Sequence, residues 1–236
     1  LSKKPILVEK NYLIPFIAIT SMFFLWGVAN DVTNPMVSAF KKVMPELSNF
    51  QAALVQLAFY GGYGTMAIPA ALFIRKYNYK SGILIGLLLY AIGAILFWPA
   101  AVYEQFTFFL MSLYILTFGL AFLETTANPF ILSLGDSRTA TQRLNLSQAF
   151  NPIGSLMGMA IAQLIIIENL RSDDYSPDAY NALSPDQIAF IRQEDLNIIS
   201  EVYVGLGILI FAVMFVIFFI KIPGKDEKIK LSVQEN

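Results

Sequence analysis

The chain has 236 residues, of which 56% are apolar and only 14% are charged, and its net charge is −1. Soluble domains carry about 25% charged residues, so we expect most of this chain to lie in lipid. The charge balance gives no reason to expect a nucleic-acid partner, and the absence of cysteine and histidine excludes thiolate and imidazole chemistry.

Six apolar stretches are long enough to cross a bilayer, which takes ~20 mainly apolar residues. They are residues 11–40, 51–74, 81–103, 106–134, 144–167 and 202–220. The first and fourth contain the internal pairs Asn34-Pro35 and Asn128-Pro129. Because proline removes a backbone donor and kinks a helix, we expect a bend beside a cavity at both places. The fold class predicted is an all-α polytopic membrane protein with six transmembrane helices.

The basic residues predict the orientation of the six spans. Twelve of the 16 lysines and arginines lie on one side, before the first span or after the second, fourth and sixth. The positive-inside rule places that side, and therefore both chain ends, in the cytoplasm. We expect residues 1–10 to be a cytoplasmic N-terminus, residues 11–221 a six-helix domain, and residues 222–236 the start of a linker in a longer protein.

The loop over residues 168–200 is long and acidic, and it is predicted to be external. Within it, the run Ser184-Pro185-Asp186-Gln187 is typical of a capping box with proline at the first helical position. We therefore expect a short surface helix over residues 185–197, acting as a solvated cover.

Only two of the 33 charged residues are predicted to lie inside spans, Asp31 in the first and Glu124 in the fourth. A carboxylate at the bilayer centre costs about 2.5–3.5 kcal/mol on the most lenient insertion scale. A carboxyl group kept in such a place can bind a proton near neutral pH. Both are candidate proton-coupling residues, and the alternative for each is a structural carboxyl bonded to a neighbouring helix.

Neutral polar side chains accompany these acids at helical spacing, so that several share a face of one span. The candidate substrate-binding set is Asn30, Asn34, Gln56, Tyr60, Glu124, Asn128, Asn145, Gln148, Asn151 and Gln163. Amides this frequent in lipid-buried helices either join helices or line a wet cavity. Their spread over four spans favours a cavity.

The side chains available in the spans narrow the substrate class. The predicted spans contain no lysine or arginine, so they offer no counter-ion to a phosphate or carboxylate. Carboxylates, amides and aromatic rings suit a small neutral polyol, whose hydroxyl groups donate and accept. Trp26, Tyr60, Tyr63 and Trp98 are candidates for stacking on a sugar ring. No cofactor or metal site is predicted.

Sequence motifs add a resemblance to a known family. Six spans with both ends on one side resemble half of a major facilitator transporter, and residues 73–82 resemble a degenerate form of that superfamily's loop motif. More specific are residues 23–30, residues 123–130 with Glu-Thr-Thr-Ala-Asn-Pro-Phe, and residues 143–151. Over the first five spans these resemble the fucose:proton symporter family.

The resemblance implies import of L-fucose or a related monosaccharide by proton symport across a bacterial inner membrane. It also implies a second six-helix half, with the sugar held between the halves near the midplane. Glu124 falls on the family's fourth-helix carboxylate, which is associated with proton coupling and sugar binding. The family's first-helix aspartate falls on Asn34, whereas this chain carries its acid one turn away at Asp31.

Two alternatives stay open from the sequence. Sodium-coupled glucose or galactose carriers belong to the same family, so the cation is H⁺ or Na⁺. A channel, a scaffold or a polytopic enzyme is the alternative outside transport. An enzyme would need a cluster of catalytic side chains at an interface, and the two buried acids lie on separate helices.

Overall fold

The computed structural model describes residues 6–220, and helices make up most of that range. The α-helices are α1 Leu13–Thr33, α2 Met36–Val43, α3 Asn49–Lys76, α4 Tyr79–Ile95, α5 Phe97–Val102, α6 Phe106–Ser133, α7 Ala140–Gln148, α8 Phe150–Ile161, α9 Pro177–Asn181 and α10 Pro185–Phe219. A π-helical segment, Ala162–Ile166, continues α8. The predicted linker at residues 222–236 and the first five residues of the predicted N-terminus lie outside the described range.

Six helical runs are long and apolar enough to cross a membrane, which confirms the predicted fold class. They are Lys10–Val43, Asn49–Lys76, Tyr79–Val102, Phe106–Ser133, Ser137–Asn169 and Pro185–Phe219. We call them the first to sixth spans. Most of these helical runs are longer than the predicted apolar stretches, because each of these longer helices begins or ends in polar residues outside the apolar stretch. In α3, for example, Ser48 and Gln51 form a capping box ahead of the apolar residues.

Proline has different effects in the first, third and fourth spans. The first span breaks between α1 and α2 at Asn34-Pro35, as predicted. The third breaks at Leu96, which was not predicted. The ring of Pro99 has no room for the carbonyl of Ile95 in a continuous helix, so α4 ends there. The fourth span, by contrast, is one helix that runs through Pro129.

The prediction of a separate surface helix over residues 185–197 is wrong in one respect. The capping box at Ser184 and Gln187 is present and starts a helix, but that helix is α10, which continues to Phe219. Between residues 197 and 202 there is no glycine or proline, so nothing ends the helix before the apolar residues begin. The connection between the fifth and sixth spans is therefore shorter than predicted, and we call residues 168–184 the linking segment.

The helices pack as two close pairs joined through the fourth span. α1 packs along α8, and α4 packs along α6, which also contacts α3. A Cβ on Gly154 would overlap the carbonyl oxygen of Phe24, and one on Gly119 would overlap that of Gly86. Glycine at these positions lets the backbones touch, which is the usual way that membrane helices gain packing energy.

One of the basic residues predicted to lie on the cytoplasmic side is buried among protein groups. Arg143 is fully buried in α7, within the fifth helical run. Its guanidinium donates to the carbonyl oxygens of Ile131 (3.3 Å) and Leu132 (3.0 Å) at the end of α6, and to that of Leu7 (3.2 Å). It thereby caps carbonyls that a helix end leaves unpaired and ties the N-terminal segment to the fourth and fifth spans.

The linking segment is fastened to the bundle by charged groups. Asp195 of α10 is fully buried, and its carboxylate accepts hydrogen bonds from the backbone N–H groups of Arg171 (2.7 Å) and Ser172 (3.1 Å). Lys42 at the end of α2 pairs with Asp173 at 2.5 Å. Asp195 is thus a third buried acid, although it lies within the predicted solvated helix.

Candidate functional site

Two cavities lie side by side where the first, second and fourth spans meet. The first has a volume of about 420 Å³ and is lined by Trp26, Asn30, Asp31, Asn34, Phe59, Tyr60, Tyr63 and Glu124. The second has a volume of about 410 Å³ and is lined by Tyr63, Ala67, Ala121, Glu124, Thr125, Asn128 and Pro129. Tyr63 and Glu124 line both and therefore form the boundary between them.

The helical repeat explains why these side chains meet. Asn30, Asp31 and Asn34 occupy one face of the last turns of α1, and Asn34 Nδ2 donates to Asp31 Oδ1 at 2.7 Å. Glu124 and Asn128, four residues apart, share a face of α6. The break at Asn34-Pro35 ends α1 beside the first cavity, in keeping with the bend that was expected there.

A chain of hydrogen bonds crosses from the first span to the second. Trp26 Nε1 donates to the hydroxyl oxygen of Tyr63 at 2.7 Å, and that hydroxyl donates to Asn30 Oδ1 at 3.4 Å. The Tyr63 ring packs edge-on against Phe59 at a centroid distance of 5.7 Å. Its position on α3 is fixed because Gly62 brings the backbone against Thr117 of α6.

The charge around the cavities is acidic and partly shielded from water. Glu124 and Asp31 are both partly buried. Among the described residues that line the two cavities there is no lysine or arginine. The lining offers carboxylate and amide groups beside aromatic faces, which is a surface suited to hydroxyl groups rather than to an anion.

The structure brings together only part of the predicted substrate-binding set. Asn30, Asn34, Tyr60, Glu124 and Asn128 line the cavities, with Asp31.

Two predicted residues on the fifth span form hydrogen bonds to other spans. Gln148 Nε2 donates to Asn128 Oδ1 at 3.2 Å, which connects it to the second cavity. The amide of Asn151 instead donates to the carbonyl oxygen of Phe23 at 3.2 Å and so helps to join α8 to α1.

Three predicted residues line neither cavity: Gln56, Asn145 and Gln163. Gln163 lies in the π-helical segment and donates to Glu168 at 3.4 Å. Trp98, a stacking candidate, is exposed and also lines neither cavity. Polar residues within an apolar span therefore predicted the cavity lining well on α1 and α6 and less well on α3 and the fifth span.

Several lining residues were not in the predicted set: Phe59, Ala67, Ala121, Thr125 and Pro129, with Tyr63 and Trp26 named only as stacking candidates. Tyr63 lies three residues after Tyr60 on α3, so their shared face was the signal that could have found it. Within residues 6–220 the structure shows no group of three acidic side chains close enough to hold a metal ion.

Comparison with known proteins finds relatives that are named as sugar transporters. No protein-family model matches it. It is 58% identical over 220 residues to the L-fucose-proton symporter of Haemophilus influenzae, covering 92% of this chain and 51% of the relative. It is 35% identical over 159 residues to the glucose/galactose transporter of Brucella abortus, covering 67% of this chain and 38% of the relative.

A solved structure matches the fold closely. The crystal structure of FucP in its outward conformation, a major facilitator superfamily transporter, superposes with a TM-score of 0.79 at 39% identity. The match covers 91% of this chain and 51% of FucP, which is the fucose:proton symporter of Escherichia coli. The chain belongs to the fucose:proton symporter family of the major facilitator superfamily.

The chain spans about half the length of the family members that it matches, and it corresponds to their N-terminal half. The named relatives are transporters rather than enzymes. Of the motifs that carried the resemblance, residues 23–30 contribute Trp26 and Asn30 to the cavities, and residues 123–130 contribute Glu124 and Asn128. The motif at residues 143–151 lines neither cavity, although its Gln148 bonds to Asn128.

Proposed function

We propose that this chain is the N-terminal half of a secondary transporter that imports L-fucose by proton symport. The observation that carries the proposal is the meeting of Glu124 and Asp31 at one cavity whose described lining has no basic side chain. The 58% identity to an L-fucose-proton symporter supports the same assignment. Carboxylates can bind the proton, while amides and aromatic rings bind a neutral sugar.

Transport requires a second half to close the sugar site. Such proteins hold the substrate between two six-helix halves near the bilayer midplane. In the proposed cycle, Glu124 is protonated from outside, the sugar binds between the halves, and rocking exposes the site to the cytoplasm. Sugar contacts made with both halves supply the difference in affinity that shifts the outward–inward equilibrium.

The cytoplasmic side is proposed to be the end where the basic residues gather. In the described range these include Arg75 and Lys76 at the end of α3, Lys80 in α4, and Arg138 and Arg143 after α6. The positive-inside rule places this end in the cytoplasm of a bacterial inner membrane, together with residues 1–10 and 222–236. The linking segment then faces outward.

A test of this orientation uses the absence of cysteine from the chain. Thr141→Cys and Ala182→Cys each introduce one thiol at an exposed position at opposite ends of the bundle. In the full-length protein with any other cysteines replaced, an impermeant maleimide added to intact cells should label Ala182→Cys only. Labelling of Thr141→Cys alone would reverse the proposed orientation.

A second candidate is a sodium-coupled glucose or galactose carrier of the same family, favoured by the 35% identity to a glucose/galactose transporter. Uptake of radiolabelled L-fucose, D-galactose and D-glucose by vesicles containing the full-length protein separates the two. The proposal expects L-fucose to be accumulated best, driven by a proton gradient at zero sodium. Accumulation of glucose or galactose only when sodium is present would favour the second candidate.

A further inference from the structure

The hydroxyl of Tyr63 lies between two groups that leave it a single arrangement of hydrogen bonds. The indole nitrogen of Trp26 is a donor only, so at 2.7 Å the Tyr63 oxygen must accept from it. The Tyr63 proton is then directed away from Trp26, and the acceptor in reach is Asn30 Oδ1 at 3.4 Å. Trp26 thus determines which way the Tyr63 hydroxyl donates.

This arrangement also determines the orientation of the Asn30 amide. An asparagine side chain offers an acceptor oxygen and a donor nitrogen, and either can face a given partner if the amide rotates. With Oδ1 accepting from Tyr63, the two N–H groups on Nδ2 are left for other partners. Among residues 6–220 Asn30 Nδ2 makes no hydrogen bond, and Asn30 lines the first cavity.

The rest of the cavity is rich in acceptors, which makes a fixed donor valuable. Asp31 and Glu124 line the same cavity as carboxyl groups, and one of the two N–H groups of the Asn34 amide is used in its bond to Asp31. A sugar hydroxyl that donates to a carboxylate has oxygen lone pairs that still require a donor. Asn30 Nδ2 is placed to supply it.

We propose that Tyr63 is a positioning residue for sugar binding, which holds the Asn30 amide with its nitrogen available to the substrate. The role rests on the proposed function, since it requires a polyhydroxylated substrate in the first cavity. Tyr63 acts through Asn30 in this account and does not itself bond to the sugar. Its ring stays in place through Phe59 and the close contact of α3 with α6.

The test is a double-mutant cycle on sugar uptake by the full-length transporter. Tyr63→Phe removes only the hydroxyl and should raise the KM for L-fucose about threefold to tenfold while changing the maximal rate less than about twofold. In an Asn30→Ala background the same substitution should have no further effect on KM, because its target is gone. A general loss of stability would lower the maximal rate in both backgrounds instead.

Tyr114→Phe is the matched control. The Tyr114 hydroxyl also joins the second and fourth spans, by donating to Thr65 Oγ1 at 2.9 Å, but Tyr114 lines neither site cavity. Its loss should leave the KM unchanged. An unchanged KM in Tyr63→Phe, or an equal increase with and without Asn30, would overturn the positioning role.

A measurement that needs no transport keeps this proposal distinct from the proposed function. The indole N–H resonance of Trp26 in ¹⁵N-labelled protein should shift in Tyr63→Phe and not in Tyr114→Phe, because only the former removes its acceptor. If that resonance shifts but the wild type takes up no sugar, the proposed function is wrong and the sugar role of Tyr63 falls with it. If the wild type accumulates L-fucose and the resonance does not move, the proposed function stands and this inference alone fails.

Discussion

At the scale of single residues, the buried charges of this chain have two different physical settings. Glu124 and Asp31 line a cavity, and among residues 6–220 neither forms an ion pair. Arg143 and Asp195 are fully buried and bonded to backbone groups at the ends of helices. Burial with satisfied hydrogen bonds is typical of a structural role, whereas a carboxylate kept beside a cavity is typical of a functional one.

Arg143 should be essential to stability. Lysine at this position keeps the charge but has a single nitrogen, which cannot reach the carbonyl oxygens of Ile131, Leu132 and Leu7 together. We expect Arg143→Lys to lower the free energy of unfolding by about 2–4 kcal/mol, since buried acceptors lose charged donors. Thermal unfolding of the purified protein in detergent measures the change.

Arg138→Lys provides the control for Arg143→Lys. The Arg138 side chain is exposed and pairs with Asp136 of the same turn at 2.6 Å. The hydrogen bond donated by the Arg138 side chain keeps the pKa of Asp136 below the usual range for an aspartate. Because solvent screens an exposed ion pair, Arg138→Lys should change the melting temperature little. Equal melting temperatures for both variants would contradict the structural role given to Arg143.

The candidate site was partly predictable at this scale. An acid in an apolar span is conspicuous because its insertion is costly, so Asp31 and Glu124 were identified from the sequence. Tyr63 was harder to find, because a tyrosine in a membrane helix packs, anchors or binds with equal ease, and only the contacts to Trp26 and Asn30 distinguish these roles. Arg143 was missed because it directly follows a polar loop and so looked like one more cytoplasmic charge.

At the scale of helices, close backbone contact between α1 and α8 aligns the first and fifth spans. A Cβ on Gly154 would overlap the carbonyl oxygen of Phe24, and one on Gly27 would overlap that of Asn151. Neither obstacle is the flexible end of a side chain, so a larger residue must move a whole helix. The two spans are therefore expected to move as one unit during transport.

Gly154→Ala should separate these helices and destabilise the protein. Overpacking of a close contact typically costs about 1–3 kcal/mol, which we expect as a lower melting temperature and a lower yield of folded protein. Gly205→Ala in α10 is the control, because a Cβ at that position meets nothing within 4 Å. A variant at Gly154 as stable as the one at Gly205 would contradict the close contact of α1 with α8.

The existence of the helices followed from the sequence, but some of their ends did not. Six apolar stretches of membrane length can satisfy their backbone polar groups only as helices, so the number of spans was strongly constrained. The effect of proline could not be predicted at each position, since α6 runs through Pro129 while the third span breaks before Pro99. The predicted surface helix and the sixth span form one helix because the residues between them, 198–201, have no strong preference for ending a helix.

At the scale of the whole molecule, the first cavity is open to one face of the bundle, because its lining includes the exposed side chains of Tyr60 and Asn34. A second half covering this face would complete the sugar site and exclude water from Glu124. The fold and the family could be recognised from this half because the motifs lie within it. The full set of substrate contacts could not be predicted, because a second half would contribute to it.

The isolated 236-residue chain should therefore bind sugar weakly. The contacts that a second half would supply are absent, and each hydrogen bond to a sugar contributes only about 0.5–1.5 kcal/mol. We expect no heat of binding with L-fucose at micromolar concentration in isothermal titration of the purified chain, and measurable binding by the full-length protein. Micromolar affinity in the isolated chain would show that the site is complete without a second half.

The most direct test of the central claim is radiolabelled L-fucose uptake by vesicles carrying the full-length protein, with and without an inward proton gradient. Wild type, Glu124→Gln and the exposed-carboxylate control Glu201→Gln are compared. We predict that the gradient drives accumulation in the wild type and the control. Glu124→Gln, which has the shape of a protonated glutamate but cannot release a proton, should not accumulate sugar. Uptake that ignores the gradient, or that survives Glu124→Gln unchanged, would contradict proton symport through Glu124.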